Sequence, residues 1–125
     1  MILVDTSVWI DHLRSKDAEL ERLLNDGQVV SHPFITGELA VGNLSPRDVI
    51  LRALSRLPEA TVARDEEVLH LISSHSLFGR GIGYVDAHLL AAVQLTSGAS
   101  LWTRDKRLHE IATKLHLTWA TQLPH

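Results

Sequence analysis

The hydrophobic pattern changes period several times along the chain, and each change marks an expected element. Ile2, Leu3 and Val4 form a short unbroken apolar run, which suits a strand covered on both faces of a parallel sheet better than a half-exposed strand, whose pattern alternates. The run stops at Asp5. Thr6 and Ser7 suit a turn or helix N-cap, and Val8, Trp9 and Leu13 resume the apolar pattern at helical spacing. Asp17 can cap a second helix with a stripe of Leu20, Leu23 and Leu24, and Gly27 stands at its C-terminal stop. Gln28 to Ser31 reads as a second strand. Pro33 then fits the first turn of a helix through Phe34, Ile35, Leu39 and Ala40 towards Gly42, with Glu38 on it.

The second half continues the alternation. Ser45 and Pro46 read as N-cap and first residue of a helix containing Val49, Ile50, Ala53, Leu54 and Leu57, ended by Pro58. Ala60 to Ala63 is expected as a third strand. Asp65-Glu66-Glu67 is favourable chemistry for the positive end of a helix packed through Val68, Leu69, Leu71 and Ile72. Phe78 to Gly83 is a glycine-rich loop without the Lys-Ser/Thr ending of a P-loop. Tyr84 to Leu95 is apolar nearly all round, so it predicts a buried helix, closed by Gly98. Ser100 to Thr103 reads as a strand, Asp105 opens a helix through Leu108, Ile111, Ala112 and Leu115, and Leu117 to Ala120 supplies an edge strand before a Pro124-His125 tail. Strands alternating with helices imply an α/β fold with a parallel sheet and helices on both faces.

Composition narrows the class. At 125 residues, 45% apolar and 22% charged, the chain is expected to form one domain spanning residues 1–125 around a single core. With no cysteine, neither disulfides nor zinc bound through sulfur are available. The first residues lack the basic and long apolar regions of a signal peptide, and no run reaches a membrane-spanning length, so a cytoplasmic protein without a membrane partner is expected. A net charge of -3 argues against a broadly basic nucleic-acid-binding surface. It argues less strongly if several carboxylates are committed to cations, because Lys plus Arg then nearly matches the remaining acids.

That condition directs attention to Asp5, Glu38, Asp86 and Asp105. Each follows an expected strand or rides an expected helix at the carboxyl edge of the sheet, where ligands bind in open α/β folds. Singly they have ordinary roles: Asp5 can cap a helix, Glu38 can be solvated, and Asp86 can complement a helix dipole as readily as face a cleft. Gathered together they would repel, and hard cations such as Mg²⁺ or Mn²⁺, which prefer oxygen ligands, would relieve that repulsion.

The segments around these acids carry a resemblance. Asp5-Thr-Ser-Val-Trp-Ile, Gly37-Glu38-Leu39, Tyr84-Val-Asp86-Ala-His-Leu-Leu-Ala-Ala and Leu101-Trp-Thr-Arg-Asp105 resemble the successive motifs of PIN-domain ribonucleases, and the compact length is similar to the VapC toxins of toxin-antitoxin pairs. The resemblance implies a three-layer α/β/α sandwich with a central five-stranded parallel sheet. It also implies Mg²⁺- or Mn²⁺-dependent RNA cleavage, with tRNA or rRNA as substrate and inhibited translation as consequence, a homodimer, and a VapB-type antitoxin partner. Asp5, Glu38, Asp86 and Asp105 match the catalytic and metal-binding acids, and Ser7 and Thr103 the supporting hydroxyls. Arg80, Arg104, Lys106 and Arg107 are candidate phosphate contacts.

Other readings make different predictions. A metal-independent ribonuclease could use some of the eight histidines, of which His12, His32 and His88 fall near the expected site, but no spacing pairs them. A phosphoacceptor receiver module also gathers acids at strand ends, yet it has paired acids after its first strand and a lysine near its last. Here Thr6 and Ser7 follow Asp5, and no lysine ends Leu117 to Ala120. A housekeeping PIN-domain nuclease, or a PIN fold retained only for binding, would share the fold without the toxin role.

Overall fold

A computed structural model describes residues 1–120. The Pro124-His125 tail therefore lies outside the described residues. Three parallel strands form the sheet: β1 (Ile2–Val4), β2 (Val29–Val30) and β3 (Ser100–Trp102), in spatial order β2-β1-β3. In register, Ile2 faces Val29 and Ser100, Leu3 faces Val30 and Leu101, and Val4 faces Trp102. Successive strand side chains point to opposite faces, so complete burial of both Leu3 and Val4 means that the sheet is covered on both sides. This explains the unbroken apolar run.

Of the segments expected to complete five strands, Leu117 to Ala120 makes one bridge, and Ala60 to Ala63 makes none, the bridge on that edge falling one residue earlier at Glu59. Ser31 pairs with Glu59 beside β2, and Leu101 pairs with Thr118 beside β3, both parallel. On the first edge Ser31 N–H donates to the Pro58 carbonyl and Ala60 N–H to the Ser31 carbonyl, both at 2.8 Å. The ladder stops there because Thr61 N–H turns to the Thr96 hydroxyl, at 2.9 Å, and His32 already caps the next helix. Where five full strands were expected, the described residues show three ladder strands with a single-bridge segment on each edge.

Seven helices surround this sheet among the described residues: α1 (Thr6–Arg14), α2 (Ala18–Asn25), α3 (Pro33–Val41), α4 (Arg47–Ser55), α5 (Asp65–Ser74), α6 (Tyr84–Leu95) and α7 (Lys106–Lys114). None is long and apolar enough to cross a membrane. Asp17 caps α2 through Leu20 N–H at 3.0 Å, and Pro33 takes the first turn of α3, as their residue types predict. At α4 the start is one residue later than expected, with Pro46 rather than Ser45 at the N-cap position. The apolar run of α6 is explained by its burial from Ala87 to Val93, and the helix packs on α5 and β3. Because α6 is anchored over seven consecutive buried residues, the position of Asp86 in its first turn is set by the core.

Candidate active site

Asp5 ends β1 and is only 7% exposed. Its Oδ2 accepts hydrogen bonds from Ser7 Oγ and Thr103 Oγ1, each at 2.8 Å. Both hydroxyls are oriented by the turn after β3: Ser7 Oγ accepts from the Arg104 backbone N–H at 3.0 Å, and Thr103 Oγ1 from the Asp105 N–H at 3.1 Å. A hydroxyl has one proton to donate, so these backbone contacts leave that proton for Asp5. The Asp5 side chain caps nothing; only its backbone carbonyl receives the first helical N–H groups, from Val8 and Trp9. Helix capping is thus not its role.

The other acids hold local structure with one oxygen apiece. Asp86 Oδ2 accepts from Gly83 N–H at 3.1 Å, and Asp105 Oδ1 from Leu108 N–H at 2.9 Å as the N-cap of α7. Glu38, exposed on α3, receives the Thr6 hydroxyl at Oε1, 3.0 Å away. In all four carboxylates one oxygen is committed to a hydroxyl or backbone N–H, and the second accepts no hydrogen bond among the described residues.

Burial pushes the Asp86 carboxyl above its ordinary value, and the charges of Asp5 and Asp105 push it further in that direction against the Gly83 hydrogen bond. The fold therefore brings Asp5, Asp86 and Asp105 into one electrostatic neighbourhood. Glu38 is not among the charges acting on Asp86; its connection runs through Thr6 to the turn that carries Ser7. No three Asp, Glu or His side chains among the described residues converge as they stand on a point that could hold a metal ion. The donor set is nonetheless suited to a hard cation, since it presents only carboxylate oxygen, and Glu38 and Asp105 are exposed.

The candidate phosphate contacts separate into two kinds. Arg104 is clamped, with Nη1 2.6 Å from Asp11 Oδ2, Nη2 2.6 Å from Asp17 Oδ2, and its guanidinium 5.6 Å from the centroid of the Trp102 ring. Asp11 of α1 and Asp17 at the N-cap of α2 thus engage both of its terminal nitrogens. Arg80, Lys106 and Arg107 are exposed and form no ion pair among the described residues.

Sequence reasoning did not anticipate Thr6 as the partner of Glu38, or the grouping of His32, Phe34, Tyr84, His88 and Asp65. His32 Nδ1 accepts from Phe34 N–H at 3.0 Å and so caps α3, which places its proton on Nε2. His88 Nε2 lies 3.1 Å from Asp65 Oδ1, which also accepts from the Tyr84 hydroxyl at 2.9 Å. The carboxylate makes Nε2 the donor. His32 Nε2 and His88 Nδ1 are both buried without a hydrogen-bond partner among the described residues. Burial, with a smaller contribution from His88, lowers the His32 pKa to about 4. His12 is also structural, accepting from Asp17 N–H at 3.0 Å. His12, His32 and His88 are each engaged by a backbone or carboxylate group, and no acid/base pair emerges from them.

The parallel sheet, the buried helix that carries Asp86 and the aspartates at the strand ends define the class. Residues 2–114 match the family model of the PIN domain, and the chain belongs to that family. Within it, the chain is 54% identical over 108 residues to Ribonuclease VapC32 of Mycobacterium tuberculosis strain CDC 1551 / Oshkosh, and equally to that of strain ATCC 25618 / H37Rv. Each match covers 86% of this chain and 87% of the relative.

Proposed function

We propose that this chain is a VapC-type toxin, an endoribonuclease that hydrolyses RNA phosphodiester bonds with the help of Mg²⁺, for which Mn²⁺ substitutes. The observation that carries the reading is the shared pattern of the four acids, each with one oxygen fixed by the fold and the other uncommitted. Similarity to a protein named as a VapC ribonuclease over most of both chains supplies the reaction class. Asp5, Asp86 and Asp105 would hold the cation, with Glu38 turning in from α3. When bound, a divalent cation lowers the pKa of a water molecule and offsets the charge that develops on the leaving oxygen.

The chain's own groups perform the positioning. Ser7 and Thr103 fix the orientation of Asp5, the Gly83 and Leu108 N–H groups fix Asp86 and Asp105, and Thr6 restrains Glu38. Burial raises the Asp86 pKa and repulsion from Asp5 and Asp105 raises it further; a dication relieves that repulsion, so binding and fold are electrostatically coupled. Arg80, Lys106 and Arg107 remain as phosphate contacts. In the cell, the protein acts in the cytoplasm as a homodimeric single PIN domain, cleaves tRNA or rRNA and so inhibits translation. A VapB-type antitoxin restrains it by presenting a cation to the acidic cleft. The single-bridge segments at Glu59 and Thr118 take the places of the outer strands of a five-stranded sheet between two helical layers.

The test is cleavage of cellular RNA by purified protein freed of any partner. Activity with Mg²⁺ or Mn²⁺, its loss in EDTA and in Asp86→Asn, and products with 5′-phosphate ends are expected. Undiminished cleavage in EDTA with contaminating nuclease excluded, or cyclic phosphate products, would overturn the metal-dependent mechanism. Harmless induction of an active enzyme would replace the toxin role by a housekeeping one.

A further inference from the structure

Gly81 is the one glycine in the chain whose missing side chain makes room for another residue. A Cβ placed there would lie 2.8 Å from Arg107 Cδ and 3.0 Å from its Cζ, whereas at every other glycine the nearest atom is at least 3.4 Å away or absent. The side chain of Arg107 therefore lies directly against the glycine backbone. Gly81 also has φ +82°, a conformation that other L-residues rarely adopt.

The location gives this contact its meaning. Arg107 stands two residues after Asp105, in the first turn of α7, while Gly81 stands two residues before Gly83, whose N–H is held by Asp86. The contact thus joins the two elements that carry Asp86 and Asp105. Arg107 pairs with neither acid, although Arg104, Arg22 and Arg64 are each paired with two. An exposed guanidinium without a carboxylate partner keeps its donors for an incoming anion, and its planar fork suits a phosphate.

We propose that Gly81 is the seat that holds Arg107 as an RNA phosphate-binding residue beside the acidic edge. Arg107 is the substrate contact and Gly81 the positioning residue that acts through it. The inference rests on the RNA-directed reading of the site, but not on cleavage itself. It gives the net-acidic edge a neighbouring positive group by which an anionic backbone can approach.

The experiment measures binding of a fluorescein-labelled, random-sequence single-stranded RNA by the full chain carrying Asp86→Asn, across a salt series. Arg107→Ala is expected to weaken binding roughly tenfold, the effect of losing one charge-assisted contact, and to reduce the salt slope by about one. Gly81→Ala should weaken binding to a similar extent in the presence of Arg107 and have no additional effect in Arg107→Ala, the non-additivity expected of residues acting as a unit. Gly79→Ala separates the seat from backbone strain, because Gly79 has φ +70° but nothing within 4 Å of its missing Cβ. It should bind as the parent does.

Additive effects, equal losses in Gly79→Ala and Gly81→Ala, an unchanged salt slope in Arg107→Ala, or no RNA binding by the parent would each overturn the proposal. If the protein binds RNA through Arg107 but the unmodified chain cleaves none, the nuclease reading fails and the seat stands. If it cleaves RNA and neither substitution changes affinity, the reverse holds.

Discussion

The molecule contains two buried polar groupings with opposite solutions to the problem of keeping polar atoms out of water. At the carboxyl end of β1, Asp5 is met by two hydroxyls that are themselves aligned by backbone N–H groups. Between α3 and α6, His32 and His88 are completely or almost completely buried, and each retains one unpartnered nitrogen. The first arrangement supplies donors to an acid and leaves its second oxygen uncommitted. The second suppresses charge, as the lowered His32 pKa shows. The contrast separates an acid held by donors through one oxygen from a histidine used to brace a helix start. A polar residue in the interior is informative only when its hydrogen bonds are followed to the last atom.

The largest effect should come from the acidic grouping. Asp5→Asn is expected to reduce RNA cleavage by more than roughly a hundredfold, comparable with loss of a principal electrostatic contact. The fold should survive, because only Oδ2 carries hydrogen bonds and an amide oxygen can occupy its place. Asp5→Ala should add a stability loss of about 1–3 kcal/mol, since two hydroxyl donors lose their acceptor. Cleavage rates and urea unfolding of both variants test the pair. If Asp5→Asn is active, or unfolds as readily as Asp5→Ala, the two groupings differ less than their geometry indicates.

The histidine grouping should appear in the pH dependence of stability. With a folded pKa of about 4 against an ordinary value of 6.5, the unfolded chain takes up the His32 proton first, so stability falls as pH drops from about 6.5 towards 4. His32→Asn keeps a good N-cap residue and removes the titration. It should therefore lose about 2 kcal/mol less stability than wild type between pH 7 and pH 5. Unfolding curves at the two pH values measure this, and equal losses would show that His32 is not held neutral.

Smaller effects are expected at the edges of the acidic grouping. Burial and the neighbouring acids disfavour charged Asp86, so its contribution improves as pH falls through its raised pKa and is unfavourable above it. In EDTA at neutral pH, Asp86→Asn should melt at or slightly above wild type, with its amide oxygen still available to Gly83 N–H. A clearly lower melting temperature would make Asp86 a structural cap. At Arg104, substitution by Lys should change RNA affinity less than twofold and cost about 0–1 kcal/mol, because the guanidinium forms a partly exposed clamp with Asp11 and Asp17. A loss like that expected of Arg107→Ala would return Arg104 to the substrate surface.

Local chemistry made much of this fold legible. The unbroken Ile2-Leu3-Val4 run, the Asp17 cap and the apolar α6 are written in neighbouring residues, whereas Ser7 and Thr103 are indicated only by the family resemblance, Thr103 meeting Asp5 across 98 residues of sequence. What was not legible depends on contacts distant in sequence. The edge strand near Ala60 shortens because Thr61 finds Thr96, and Arg104 is paired with acids 93 and 87 residues away. Sequence alone places His32 only near the expected site, because its capping bond and its burial against Phe34 and His88 are not apparent in the local pattern.

The central claim is that Asp5, Asp86 and Asp105 share one divalent cation through the oxygens that the fold leaves uncommitted. Calorimetric titration of Mn²⁺ into wild type and into Asp5→Asn, Asp86→Asn and Asp105→Asn tests it without reference to activity. Wild type should bind Mn²⁺, and each substitution should weaken that binding at least about tenfold, because each removes a charged oxygen ligand from the same ion. Undiminished binding in all three variants, or none in wild type, would contradict a shared cation site at the end of β1.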